Sequence, residues 1–210
     1  MNLNSFICVA LLGAVSAKGE PLVAATASTN DRPAVAASAS VAGKPDVAAA
    51  AVPAERKPFI TALSMAYGRT HDDIDVYRFA LRKDSGYQWL SNLTGWLSVY
   101  YEASANLWIL RDDQVFAFAL SPVFVYYFGR PGNLVRPYLE GGIGAAGLSK
   151  TDIGDSREFS TEFQFEDRLG AGFRIKDWDL CFRYMHYSNA SIVQPNDGID
   201  ILMLALARQL

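Results

Sequence analysis

The sequence predicts an all-β fold, an eight-stranded antiparallel transmembrane β-barrel preceded by a disordered Ala/Pro-rich segment. Three observations carry that prediction. Beyond residue 58 the apolar residues recur with period two, the spacing of a strand that offers one face to an apolar environment. No apolar run approaches the roughly 18 residues that a spanning helix needs, whereas a tilted strand of about ten residues does cross a bilayer. The alternating segments number eight, and only closure into a barrel satisfies the backbone of strands in hydrocarbon.

The first 17 residues, MNLNSFICVALLGAVSA, have a short apolar core and end in Val-Ser-Ala, which predicts a signal peptide cleaved after Ala17, although no Lys or Arg precedes the core. Cys8 would leave with it, so Cys181 has no partner for an intramolecular disulfide. Residues 18–57 are rich in alanine, contain no aromatic residue and are broken by Pro21, Pro33, Pro45 and Pro53. Without large side chains this stretch cannot offset the entropy of ordering, and it reads as a disordered tether. Apart from Phe6, every aromatic residue lies beyond Pro58, so residues 58–210 form the folded barrel. The formal net charge of −3 supplies no basic footprint, which argues against nucleic acid as a partner.

The segments fall near 59–69, 75–84, 92–106, 114–128, 134–149, 159–175, 178–189 and 199–209. In the third, Gly95, Leu97, Val99 and Tyr101 alternate with Trp96, Ser98, Tyr100 and Glu102. In the sixth, Phe159, Phe163, Phe165, Leu169 and Phe173 share one face, against Glu162, Glu166, Arg168 and Arg174 on the other. Asp167 falls on the apolar face and breaks the rule, as a local bulge would make it do. An eight-stranded barrel has its interior filled by side chains, and Glu140, Glu162, Glu166, Arg168, Arg174 and Arg183 are expected to form a buried polar network there. The glycines of GGIGAAG, 141–147, lack the strand-to-helix junction of a phosphate loop and read as strand glycines.

The seventh segment reads DLCFRYMHYSN. Arg183 belongs to the lumen, so Leu180, Phe182, Tyr184, His186 and Ser188 project toward lipid. The Pro-Asn-Asp-Gly that follows is a turn signal, and it brings Asp200, at the head of a row of leucines, back toward His186. Serine, histidine and carboxylate then meet on the outer wall. Such a histidine can take the serine proton while the acid fixes its tautomer, and Asn189 can donate to the oxyanion. The bland alternative is two polar residues leading into a turn. Folding requires nothing polar on that wall, and a nucleophile there would meet lipid esters without extracting them. His71, with Asp72, Asp73 and Asp75, reads as a solvated turn; the carboxylates also suggest a divalent cation bridging lipid phosphates.

HYSNASIVQPNDGID closely resembles the active-site segment of the PagL-type lipid A 3-O-deacylases of Gram-negative outer membranes, and SPVFVYYF, RPYLEGGIGAAGLS and FEDRLGAGFRI extend the resemblance over most of residues 75–200. The resemblance implies an eight-stranded barrel of the cell outer membrane, a Ser-His-Glu triad on its outer face, and lipid A in lipopolysaccharide as substrate. No cofactor and no metal are expected. By motif, Ser188 is the nucleophile, His186 the base, Asn189 the oxyanion or substrate-orienting residue, and Asp200 stands where the family has glutamate. That departure shortens the acid by one methylene. The second reading, from another class, is a catalytically inactive structural or lipopolysaccharide-binding barrel. Self-association as a homodimer is left open, and the tether is unlike the compact family pattern.

Overall fold

The computed structural model describes residues 58–91, 94–153 and 157–210. The expected signal peptide and the tether of residues 18–57 lie outside these residues. Eight strands follow one another: β1 (Ala62–Thr70), β2 (Asp75–Trp89), β3 (Gly95–Ile109), β4 (Gln114–Phe128), β5 (Val135–Leu148), β6 (Phe163–Ile175), β7 (Trp178–Ser188) and β8 (Ile199–Gln209). Each pairs antiparallel with the next, and β1 pairs with β8 to close the barrel. No sheet edge is left unpaired, as a membrane requires.

Period-two patterning decides which side each residue takes. Along β1, Ala62, Ser64 and Ala66 face inward, while Leu63, Met65 and Tyr67 face out. Phe116, Phe118 and Leu120 of β4 and Leu202, Leu204 and Leu206 of β8 continue the outward apolar band. Three connections at one end are short: residues 90–94, 129–134 and 176–177. The opposite end carries residues 71–74 and 110–113 together with the long loops 149–162 and 189–198. Outer-membrane barrels put short turns on the periplasmic side and long loops outside, so the long-loop end is the outer one.

The lumen is a closed ionic lattice. Glu102 accepts from Arg78 at 2.8 Å, Arg82 at 3.0 Å and Arg168 at 2.9 Å. Glu166 accepts from Arg78 at 2.7 Å, Arg168 at 2.7 Å and the Tyr187 hydroxyl at 2.5 Å. Arg183 donates to Glu140 at 2.6 Å. Burying so many charges is tolerable only because each is paired, and removing one member leaves its partners stranded. Glu140, Glu166, Arg168 and Arg183 take the places expected of them. Arg174 lies toward the periplasmic end and pairs with Asp179 at 3.2 Å.

Three expectations need correction. Glu162 is exposed and precedes β6 rather than entering the lumen. The cause is local: Ser160 adopts a φ of 54°, which breaks the extended chain, so β6 begins at Phe163 and Phe159 turns inward to full burial. Asp167 involves no bulge. Register runs unbroken on both sides of it, and it faces outward opposite His186. Strand β2 continues past residue 84 through an irregularity between Asp84 and Gln88, where Gly86 takes a φ of 77°.

Candidate active site

The site is built where β6, β7 and β8 emerge at the outer end. His186 on β7 is the direct register partner of Asp167 on β6 and of Asp200 on β8. Directly opposed residues of antiparallel strands have Cβ atoms about 4.5–5.5 Å apart, so even a short acid reaches across. Nδ1 of His186 lies 2.6 Å from Oδ1 of Asp200. The missing methylene therefore leaves no gap, because strand pairing supplies the proximity. The Tyr184 hydroxyl, two residues below His186 on the same face, donates to the same Asp200 oxygen at 2.7 Å. Two donors on one oxygen hold the carboxylate in place. Alternation places Tyr184 on the face of His186, but nothing in the pattern shows that its hydroxyl reaches Asp200.

Ser188 stands two residues beyond His186 on the same face of β7, at the last strand position, and is only 8% exposed. The structure brings His186 and Asp200 together, whereas the Ser188 hydroxyl forms no hydrogen bond to the imidazole. With Nδ1 taken by Asp200, Nε2 is the ring nitrogen available to the serine, and such bonds are often looser in unliganded sites. Gly198, the last residue before β8, packs against that edge of the ring. A Cβ there would stand 3.0 Å from Cε1 and 3.5 Å from Nε2 of His186, and its φ of 61° is a left-handed conformation that glycine tolerates best.

Asn189 does something other than offer a free amide. Both of its side-chain N–H groups are spent, on the carbonyls of Phe159 at 3.0 Å and Val193 at 2.9 Å, while its Oδ1 is buried without a partner. In this arrangement Asn189 pins the two long loops together. Its backbone N–H donates to Oδ1 of Asn196 at 3.1 Å, and among the described residues the Asn196 side-chain N–H groups have no acceptor. Asn196 was missed from sequence, since it reads there only as part of the turn signal. Asp167 also has a buried carboxylate oxygen without a partner, Oδ1, on the lipid-facing wall beside His186. Below these residues the wall forms a shallow groove lined by Leu139, Leu169, Ala171, Phe182 and Tyr184.

Among the described residues no group of His, Cys, Asp and Glu side chains is arranged to hold a metal ion, so the cation suggested at the β1–β2 turn finds no ligand cluster there. Asp72 is held by Arg157 at 2.5 Å, and Arg69 lies 3.3 Å from Asp73 and 3.5 Å from Asp75.

A model of the family described as lipid A 3-O-deacylase (PagL) matches residues 75–209. The chain is similar to lipid A deacylase PagL of Pseudomonas aeruginosa, with 38% identity over 141 residues, which is 66% of this chain and 80% of that protein. It is similar to lipid A deacylase PagL of Bordetella bronchiseptica at 34% identity over 120 residues, covering 55% of this chain and 64% of that one. A crystal structure described as that of the outer membrane enzyme PagL superposes with a TM-score of 0.66 at 35% identity, over 71% of this chain and 99% of the other.

Proposed function

Because the chain belongs to the PagL family of lipid A 3-O-deacylases, we propose that it is an outer-membrane esterase that removes the 3-O-linked acyl chain of lipid A with Ser188, His186 and Asp200 as its hydrolytic triad. The observation that carries the reading is the 2.6 Å contact between Nδ1 of His186 and Asp200 on an outward wall where folding needs no charge. Asp200 keeps the proton on Nδ1, so Nε2 is free to accept one. The Ser188 hydroxyl attacks the ester carbonyl as Nε2 takes its proton, and Asp200 stabilises the imidazolium that forms. Collapse of the tetrahedral intermediate breaks the bond to the sugar oxygen, which leaves as an alcohol with the proton from His186. Water then attacks the acyl-enzyme by the same steps and releases the fatty acid.

Asn189 acts in this scheme by orienting the loop beside the nucleophile, and direct donation from its side chain to the oxyanion requires its two loop bonds to open. The Asn196 side-chain amide, without an acceptor among the described residues, is the neighbouring donor left to serve. The groove along Leu169, Phe182 and Leu139 suits an acyl chain lying against the wall, and the unpaired Asp167 oxygen suits a hydroxyl or amide donor of the substrate. The test is mass spectrometry of lipid A from Gram-negative cells with and without the expressed protein, alongside the Ser188→Ala variant. Loss of one hydroxyacyl chain, abolished by the substitution, supports the reading. An unchanged spectrum with folded protein in the outer membrane favours the inactive barrel.

A further inference from the structure

Arg157 lies in the 149–162 loop, and its guanidinium serves two other elements at once. Nε donates to Asp72 Oδ2 at 2.6 Å, and Nη2 approaches the same oxygen at 2.5 Å, on the β1–β2 turn. Nη1 donates to the carbonyl of Gly198 at 2.5 Å. Gly198 is the residue whose backbone packs against the Cε1–Nε2 edge of His186, and it lies two positions before Asp200. Strands β7, β8 and β1 stand between β6 and β2 in the barrel, so the link from this loop to Asp72 crosses the ends of the strands that carry the site.

We propose that Arg157 is a positioning residue for deacylation, holding the Gly198 carbonyl so that the imidazole edge and the start of β8 keep their places. This rests on the hydrolytic reading of His186 and Asp200 given above. Other bonds join the same two loops: Glu158 N–H to Asp197 at 2.9 Å, Ser160 hydroxyl to the Pro195 carbonyl at 2.7 Å, and Asn189 to Phe159. Those stay within the loop pair; the 149–162 loop is also tied to the β3–β4 turn by Lys150 on Asp113 at 2.5 Å, but that link lies at the β5 end of the loop, away from β8. Arg157 alone among them ties the pair to β1–β2, outside the segment that could shift as one piece. A guanidinium suits the task because its planar fork holds several acceptors in fixed directions, which a point-charge lysine does not. The side chains of Arg157 and Asp72 are 26% and 36% exposed, so water screens the pair less than it would a fully exposed one. Gly198 has no side chain to anchor it, and without the guanidinium its carbonyl loses that hold. Catalytic geometry is sensitive on this scale, since a misplacement of about 1 Å can cost on the order of 100-fold in rate.

The experiment uses the full barrel, purified and refolded, acting on lipid A in mixed detergent micelles, with kcat and KM measured for Arg157→Ala, Asp72→Ala, the double variant and Ser188→Ala. Folding is checked by heat-modifiable gel mobility. Arg157→Ala should lower kcat about tenfold and Asp72→Ala about threefold or more, with KM within about twofold, because the acyl groove is untouched. The double variant should fall no further than Arg157→Ala, within about twofold, since either change cuts the same link. Wild-type kcat in folded Arg157→Ala, a loss confined to KM, or losses that multiply in the double variant would each overturn the proposal. If Arg157→Ala does not fold, the milder Asp72→Asn decides by the same kcat and KM criteria. Ser188→Ala separates the two claims: activity surviving there sinks the triad, whereas an inactive Ser188→Ala beside an unimpaired Arg157→Ala sinks only the positioning role.

Discussion

Replacing Asp200 by asparagine keeps the shape of the side chain and removes the charge that lies 2.6 Å from Nδ1 of His186. The size of the effect follows from the setting of the pair. Two unit charges with centres about 4 Å apart interact by about 4 kcal/mol at an effective dielectric of 20 and by about 1 kcal/mol in bulk water. The Asp200 side chain is 51% exposed and that of His186 21%, which places the pair between those limits. An intermediate value of about 2–3 kcal/mol, at 1.36 kcal/mol per decade, lowers turnover about 100-fold. That is less than the roughly 10⁴-fold loss of the same change in a buried serine-protease triad, where the wrong tautomer adds to the lost charge. Glutamate restores the family's acid but must fold back, because strand register already brings the aspartate into contact. Asp200→Glu should therefore keep activity within about tenfold of the parent, the charge being retained. Release of hydroxy fatty acid from lipid A, with folding checked by gel mobility, measures both variants. A loss below about threefold in the asparagine variant would show that Asp200 is only a rim residue, and that His186 and Ser188 work as a dyad.

Ser188→Ala and His186→Asn should each leave a folded, heat-modifiable barrel with lipid A deacylation at background; near-native turnover in either rules out its assigned role. A chain in which residues 1–17 are joined directly to residue 58 should insert and deacylate, since residues 18–57 bring no aromatic side chain to the barrel; loss of assembly would give that segment a part in folding. Glu102→Ala should destabilise the barrel by about 3–5 kcal/mol, because Arg78, Arg82 and Arg168 all lose a buried carboxylate. Urea titration followed by tryptophan fluorescence reads that change, and a shift under 1 kcal/mol would mean that water compensates the arginines in the lumen.

Most of the barrel was legible because a strand in a membrane must alternate, and alternation survives in the sequence without any knowledge of neighbours. The faces of β7 and β8 followed from Arg183 and from the row Leu202, Leu204 and Leu206. The proximity of His186 and Asp200 followed from the turn between the strands. Where alternation stops, legibility stops. Extending the pattern through Ser160 puts Glu162 in the lumen, but the left-handed backbone of Ser160 ends the alternation. Arg157, Asn196 and the loop bonds of Asn189 depend on how two long loops fold over each other, and no period records that. Arg78, Arg82 and Glu102 sat in plain alternating pattern on β2 and β3. Their meeting with Glu166 and Arg168, from the far side of the barrel, is a property of closure rather than of either strand.

The rigid ionic lattice inside the barrel has a consequence for the lipids outside it. Tyr187, between His186 and Ser188 in sequence, points inward and is tied to Glu166, which adds to the strand pairing that sets the register of β7. The height of Ser188 along the barrel wall is thereby set by register, and each residue of a tilted strand corresponds to about 2.5 Å of that height. If Ser188 is the nucleophile proposed above, an ester at the wrong depth on the same lipid lies out of its reach. Bilayer thickness becomes a determinant of selectivity, because hydrophobic mismatch moves the whole ruler relative to the plane of the ester bonds. In vesicles of graded acyl length, turnover should peak at one thickness, with the position of the acyl chain released, and not only its rate, changing on either side.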